Sequence, residues 1–170
     1  MLFRSLSRVA TLLNKSNPLH QAEWKATLAA AKALGIAAQP YEVQGPMGFA
    51  PAFATMIGAH AEAVVVLEDA SFGSERARLV ALAATSHLPA IYGQRDSVEA
   101  GGLLSYGPNI VDVYRNSARF VDKILKGTKP GDLPIEQPTK FELVINLKTA
   151  KALGIKIPQP LLLRADEVIQ

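Results

Sequence analysis

The sequence of 170 residues contains no cysteine. Disulfide bonds and thiolate metal sites therefore cannot hold the fold, and cysteine usage gives no indication of the redox compartment. Long apolar runs are also missing. Apolar runs in the middle of the chain, such as Ala63–Leu67 with five residues, are far too short to cross a bilayer. The sequence predicts a protein without a membrane span.

Strong charge of either sign is absent as well. The 18 Lys and Arg residues exceed the 15 Asp and Glu residues only slightly, which gives a formal net charge of +3. The basic residues are scattered without a run, and aromatic residues, at 6% of the chain, do not interleave with them. Nucleic-acid binding has little support from this pattern.

Sequence motifs of common enzymes are missing too. No G-x-S-x-G segment offers a serine nucleophile. Asn14–Asn17, after the first predicted strand, lacks the glycines that wrap a phosphate. A phospho-acceptor domain could use Asp69 but would also need acidic residues where Asn14 and Lys15 stand. The histidines have no metal-ligand spacing and are interpreted as surface or helix-end residues: His20, His60 and His87. We expect no enzymatic activity, cofactor or metal.

Short apolar strands alternate with helical patterns along most of the chain. Strands are predicted at Arg8–Leu13, Ile36–Val43, Ala63–Leu67, Leu88–Tyr92, Leu103–Tyr106 and Phe141–Ile145. Helices are predicted at Leu19–Leu34, Pro51–His60, Gly73–Ser86, Ile110–Lys126 and Leu147–Leu153. This alternation predicts an α/β fold with a doubly wound, mostly parallel sheet. Pro40 favours an edge position for the second strand, and Asn109 is typical of a helix cap.

Polar residues follow three of the predicted strands. They lie in Asn14–Asn17, Glu68–Ser71 and Gly93–Asp96. In an open α/β sheet the carboxyl ends of parallel strands share one edge, and ligands bind beyond it. Together the three loops offer amides, hydroxyls, two adjacent carboxylates and a guanidinium, which suit a small polar ligand that carries both charges. The same side chains also suit helix capping and the helix dipole, so both roles remain open.

Three segments carry a resemblance to a known family. The run Leu88–Pro158 includes FELVINLKTAKALGI at residues 141–155, RADEVI follows at 164–169, and SRVATLLNKSNP opens the chain at 7–18. These segments resemble the carboxyl-terminal half of the ABC transporter substrate-binding protein family, which is similar to tryptophan- and other amino-acid-binding lipoproteins. The resemblance implies a flavodoxin-like or Rossmann-like lobe of a type I periplasmic binding protein.

The resemblance implies a solute-binding component of an ABC import system. Such a protein closes on a small polar solute, such as an amino acid, and docks on a permease. By position at the strand ends, the residues expected to contact the ligand are Asn14, Ser16, Asn17, Glu68, Asp69 and Gln94, with Tyr106 near the hinge. The alternative is a dimerising or regulatory module of the same fold that transports nothing and has no ligand.

The resemblance also divides the chain. Family members are longer, with an amino-terminal lobe and an export signal. Residues 1–107 and 141–170 correspond to the second lobe, while 108–140 correspond to a hinge-crossing segment and a long helix that belongs to the first lobe. An apolar stripe on that helix would lack its usual partner: Val113, Tyr114, Ser117, Val121, Ile124 and Leu125. We expect a homodimer through Ile110–Lys126, with this helix swung onto a second copy or folded back on its own sheet.

Localisation follows from the same resemblance. Family members are periplasmic. Here Met1–Arg4 superficially resemble the start of an export signal, but Ser5, Ser7 and Arg8 interrupt any apolar segment. The first residues are therefore expected to be folded, and the protein is expected to be cytoplasmic if the chain is complete as it stands.

Overall fold

The computed structural model of the chain describes residues 6–170. Its strands are β1 (Arg8–Asn14), β2 (Ala37–Val43), β3 (Ala63–Val66), β4 (Ala90–Tyr92), β5 (Leu104–Pro108), β6 (Phe141–Asn146) and β7 (Glu167–Ile169). Its helices are α1 (Leu19–Ala33), α2 (Phe49–Gly58), α3 (Ala70–Ser74), α4 (Arg76–Thr85), α5 (Arg95–Glu99), α6 (Ile110–Leu125), α7 (Leu147–Ala152) and α8 (Gln159–Leu162). Short 3₁₀ turns lie at Pro46–Gly48 and Pro130–Asp132. The expectation that Met1–Arg4 are folded falls outside the described range.

The strands form one sheet in the order β2-β1-β3-β4-β5-β6-β7. Strands β1 to β5 are parallel, β6 runs antiparallel to β5, and β7 runs parallel to β6. The step from β1 to β2 and the steps from β3 onward proceed in opposite directions. Because crossovers are right-handed, the helices of those connections lie on opposite faces. The predicted doubly wound, mostly parallel sheet is confirmed, and β2, which contains Pro40, is an edge strand.

The main core fills one face of the first four strands. Alternate strand residues point to the same face, and here they meet the apolar sides of α2, α3 and α4. The strand residues of this cluster are Ala10, Leu12, Tyr41, Val43, Val64, Val66, Ala90 and Tyr92. The helices contribute Phe49, Phe53, Met56, Phe72, Leu79, Val80 and Ala83. A smaller cluster of Leu103, Ile145, Ala150 and Ile157 extends the core towards the carboxyl terminus. The sheet is thus a rigid base for the loops at its edge.

Several elements differ from the sequence prediction. The predicted helix Gly73–Ser86 starts earlier, at Ala70, because Asp69 caps it, and it breaks at Glu75 into α3 and α4. The predicted polar loop after β4 becomes the short helix α5. The last strand, β7, was not predicted, because three residues are too few to show an alternating pattern.

The long helix α6 lies away from the sheet. None of its residues is buried, and the apolar stripe is exposed in the single chain, with Tyr114 73% and Leu125 82% accessible. The expectation that this helix folds back on its own sheet is therefore wrong. The segment leaves the sheet at Pro108 and re-enters at Phe141, and these two residues face each other in the β5–β6 ladder.

Candidate functional site

The loops after β1 and β3 meet at the carboxylate of Asp69. Its Oδ2 accepts hydrogen bonds from Nδ2 of Asn14 at 3.1 Å and from Nδ2 of Asn17 at 2.9 Å. Its Oδ1 accepts from the backbone N–H of Ser71 at 2.9 Å and from the Ser71 hydroxyl. Asp69 therefore caps α3 and joins the two loops at the point where the strand order reverses, which is the position at which ligands of doubly wound sheets bind.

Hydrogen bonding determines the ionisation of Asp69. Partial burial would raise its pKa, but the donors of Ser71, Asn17 and Asn14 stabilise the carboxylate and lower its pKa from 3.8 to about 2. The carboxylate is thus ionised over the whole physiological range. With four hydrogen bonds already accepted, it serves primarily to fix the loops.

The depressed pKa of Asp69 predicts a loss of stability in acid. A carboxylate with a lowered folded-state pKa stabilises the protein fully above its unfolded pKa of 3.8, and this contribution is lost as pH falls through about 2. We expect the free energy of unfolding, measured by urea denaturation, to decrease across this window. The decrease should be smaller for Asp69→Asn, because an amide does not titrate. Identical pH slopes for the two proteins would contradict the assignment.

His20 is a buried side chain that connects the same two loops. The side chain is 1% exposed. Its Nδ1 accepts a hydrogen bond from the backbone N–H of Asn14 at 2.7 Å, and its Nε2 lies 2.9 Å from the backbone carbonyl of Glu68. Because a backbone N–H only donates and a carbonyl only accepts, the ring is in the tautomer with the proton on Nε2. His20 lies at a helix start, as predicted, but the interpretation as a surface residue is wrong.

Glu68 connects the third loop, Gly93–Asp96, to the loop after β3. Its Oε1 accepts a hydrogen bond from the backbone N–H of Gly93 at 2.9 Å. The residue is exposed as a whole, but its carboxyl group lies against the Gly93 loop, and this burial raises its pKa. A Cβ at position 93 would lie 2.4 Å from Cγ of Glu68, so any larger residue there would displace this side chain from Gly93. All three predicted loops therefore converge at one edge.

The predicted contact residues divide into two groups. Asn14, Asn17, Glu68 and Asp69 form the network just described, and much of their hydrogen-bonding capacity is used within the protein. The remaining three present unused groups to solvent. Ser16 is exposed, Gln94 has no side-chain hydrogen bond within residues 6–170, and Tyr106 is 58% exposed and stacks on Phe141 with ring centroids 5.7 Å apart. Ligand contact by these seven residues remains a prediction, and the capping role of Asp69 is evident.

A cleft of about 400 Å³ opens further along the same edge, where β4 and β5 end. Its walls come from the loop after β4, the end of β5, the first turn of α6 and the start of β6. The lining residues are Gly93, Gln94, Arg95, Asp96, Ser105, Gly107, Pro108, Asn109, Ile110, Val111, Tyr114 and Glu142. Of the residues predicted to contact a ligand, only Gln94 lines it. The cleft is large enough for a small organic solute.

The side of the cleft at α6 is held by Asn109 and Glu142. Asn109 caps α6, as predicted, because its Oδ1 accepts from the backbone N–H of Asp112 at 2.9 Å. Its Nδ2 donates to Oε1 of Glu142 at 2.7 Å, which links the two strands where 109–140 leaves and re-enters the sheet. The sequence prediction missed Glu142, because only the antiparallel pairing of β5 and β6 brings it to this edge.

The opposite wall is fixed by Arg95. Its guanidinium donates to Glu99 at 2.9 Å and to Glu167 at 2.8 Å, and lies 3.9 Å from Glu142. Next to it, Asp96 pairs with Arg76 at 3.3 Å. These ion pairs tie α5 to β6, β7 and α4, so the wall is held in place by three neighbouring elements. Across residues 6–170, no group of three His, Asp or Glu side chains is arranged to hold a metal ion.

The sequence model for ABC transporter substrate binding protein matches residues 2–169. No curated protein matches the chain. Within the described part of the chain, no helix combines the length and apolar character needed to cross a membrane.

Three solved structures resemble the chain over nearly all of its length. An ABC domain in complex with L-Trp from Streptococcus pneumoniae is 26% identical, with a TM-score of 0.89 and coverage of 99% of this chain and 58% of that one. A conserved domain protein from Vibrio cholerae O1 biovar El Tor is 22% identical, with a TM-score of 0.89 and coverage of 96% and 55%. A ligand-free, open substrate binding protein with adhesive properties from Clostridium difficile is 19% identical, with a TM-score of 0.71 and coverage of 98% and 55%.

The chain is shorter than the three solved structures. The chain spans 55–58% of each of these three structures. The fold, the polar edge and the family match over residues 2–169 lead to one conclusion. The chain belongs to the ABC transporter substrate-binding protein family.

Proposed function

We propose that this chain is the solute-binding part of an ABC import system and takes up a small polar solute, such as an amino acid, at the carboxyl ends of its strands. The observation that carries the proposal is the cleft of about 400 Å³ at this edge, in a chain whose family binds transported substrates. The Streptococcus pneumoniae structure, which is described in complex with L-Trp, favours an amino acid. Catalysis is not part of this function.

The same proposal assigns the segment 108–140 to the other, amino-terminal lobe of such a protein. Two features support this: α6 exposes its apolar stripe in the single chain, and each neighbouring structure is nearly twice as long as this chain. In this arrangement the solute lies between two lobes that close on it, and the closed form docks on a permease. The family resemblance supports a location outside the cytoplasmic membrane for such a protein.

A thermal-shift screen with amino acids and small organic acids tests the binding function. A ligand that binds only the folded state stabilises it by mass action, so a solute at about ten times its Kd should raise Tm by roughly 3 to 6 °C for a domain of this size. Amino acids should act and neutral sugars should not. A screen in which no solute raises Tm would contradict the proposal.

A second candidate is a dimerising or regulatory module that binds no solute. The exposed apolar residues of α6 favour it, because unpartnered side chains such as Val121 (55% exposed) and Ile124 (40% exposed) suit an interface with a second copy. The same screen separates the two candidates. A dimer predicts that Tm rises with protein concentration and that no solute changes it.

A further inference from the structure

Another cavity, of about 300 Å³, lies at the opposite edge of the sheet, where the parallel strands begin. We call this space the amino-edge cavity. It is enclosed by β1, β2 and the turn between α2 and β3. Its lining residues are Arg8, Val9, Ala10, Ala37, Ala38, Gln39, Tyr41, Ala59 and Ala61. None of them lines the cleft at the ends of β4 and β5.

The cavity exists because α2 ends before it covers the whole sheet face. Phe53 and Met56 of α2 are almost fully buried and fill the space over the strands. The helix ends at Gly58. Beyond this point β1 and β2 contribute Ala10 and Ala37, whose short side chains leave the space open. Protein interiors are otherwise closely packed, so a cavity of this size within the fold offers room for a ligand.

Tyr41 brings a hydroxyl group without a protein partner to this cavity. The residue is 7% exposed, and its hydroxyl makes no hydrogen bond within residues 6–170. Burial raises the pKa of Tyr41, so the hydroxyl stays protonated and can donate. Buried polar groups nearly always have hydrogen-bond partners. A buried tyrosine that lines a cavity and lacks one indicates that a molecule in the cavity supplies the partner.

The charged groups beside the cavity balance one another. Nε of Arg8 donates to the backbone carbonyl of His60 at 2.9 Å, and Nη2 of Arg8 lies 3.7 Å from Oε1 of Glu62. Hydrogen bonds from Ser7 lower the pKa of Glu62, so this carboxylate is ionised at neutral pH and offsets the charge of Arg8. The carboxyl end of α2, which Ala59 caps, adds partial negative charge. The cavity therefore favours a neutral ligand over an anion.

The remaining lining suits a carboxamide with an apolar part. The hydroxyl of Tyr41 and the N–H groups of Arg8 that are not bonded to His60 can donate to a carbonyl oxygen. The side-chain carbonyl of Gln39 can accept from an amide N–H. The alanine methyl groups provide apolar walls. A volume of about 300 Å³ is at the lower limit for ligand pockets, which restricts the ligand to a small molecule.

We propose that the amino-edge cavity is a second binding site, which takes a small neutral carboxamide with an apolar group. Tyr41 donates a hydrogen bond to the carbonyl oxygen of this ligand, and the alanine side chains contact its apolar part. The site lies on the opposite edge of the sheet from the polar loops and the cleft, so it is separate from the proposed solute-binding function.

NMR titration of the ¹⁵N-labelled chain locates the site, with benzamide as the probe. At millimolar concentration benzamide should shift the amide signals of Gln39, Ala59 and Ala61. Benzoate has the same ring but carries a negative charge. It should bind about two- to fivefold more weakly, as expected for one unfavourable charge near the carboxyl end of a helix.

Two tyrosine substitutions form a matched pair. Tyr41→Phe keeps the ring and should weaken benzamide binding by about three- to tenfold, because it removes one neutral hydrogen bond. Tyr92 belongs to the same core cluster and is 4% exposed, but it does not line the cavity. Tyr92→Phe should therefore leave the Kd for benzamide unchanged. Ala59→Leu adds a side chain at an exposed position of the lining and should abolish binding by filling the space.

Several results would overturn this assignment. They are benzamide shifts confined to residues of the cleft, benzoate binding as tight as that of benzamide, and a Kd that is unchanged in Tyr41→Phe or in Ala59→Leu. The absence of any shift at millimolar benzamide would also overturn it. None of these results would affect solute binding at the carboxyl ends of the strands, which the thermal-shift screen tests separately.

Discussion

Gly107→Ala is expected to destabilise the protein by about 3 kcal/mol or more, a value at the upper end of the range for overpacking. The cause is a close approach of two backbones, because a Cβ at position 107 would lie 1.8 Å from the carbonyl oxygen of Gly93. Since this neighbour is main chain, no side-chain rotation can relieve the overlap. Either β5 or the loop after β4 must move, and both line the cleft.

The matched control is Gly58→Ala. Gly58 is the last residue of α2, and a Cβ there would have nothing within 4 Å. Alanine is the better helix former, so this variant should be unchanged or more stable by up to about 1 kcal/mol. Thermal and urea unfolding measure both variants. Gly107→Ala with wild-type stability would show that the loop after β4 is free to shift.

His20→Phe is the second substitution with a large expected effect. Phenylalanine keeps most of the ring volume but leaves the N–H of Asn14 and the carbonyl of Glu68 without their partner. Because unsatisfied buried groups cost about 1 to 3 kcal/mol each, we expect the free energy of unfolding to fall by about 2 to 4 kcal/mol. The loops after β1 and β3 should also exchange their amide hydrogens faster.

His87→Phe provides the comparison for His20→Phe. His87 is exposed, and its side chain makes no hydrogen bond within the described part of the chain. The same change there should cost at most about 1 kcal/mol, because His87 is a surface residue and only its left-handed backbone (φ 51°) disfavours phenylalanine. If the two variants lost similar stability, the effect at His20 would come from the phenylalanine and not from the lost hydrogen bonds.

The fold was largely predictable because its signals are local. Ala63–Val66 is apolar on both faces, as a central parallel strand requires. The side chain of Asn109 caps the start of α6, and Gly127, with its positive φ, follows the end of the helix. The family segments at both ends of the chain gave the same architecture. The short helix α5 and the strand β7 were not predicted, because tertiary contacts define them. Val98 of α5, for example, is buried and its carbonyl accepts from Asn146.

The polar edge was predictable, but its arrangement was not. Parallel strands bring their carboxyl ends together, so the convergence of the three loops followed from the strand pattern. The partners of each polar group depend on distances across the sheet, and a sequence does not contain them. Nothing local distinguishes His20 from an exposed histidine. The contact at Gly107 likewise involves Gly93, which lies on a different strand end.

Pro108 pairs with Phe141, so the two ends of the segment 109–140 lie side by side. We call this pair of adjacent strand ends the neck of the segment. The chain departs and returns through two neighbouring strand ends, so the sheet is complete without the segment between them. A body that covers the apolar stripe of α6 would be connected to the sheet through this neck. The cleft lies at its base, with Asn109 and Glu142 bridging the two sides. A swing of the segment would therefore change the width of the cleft and leave the core beneath the sheet untouched.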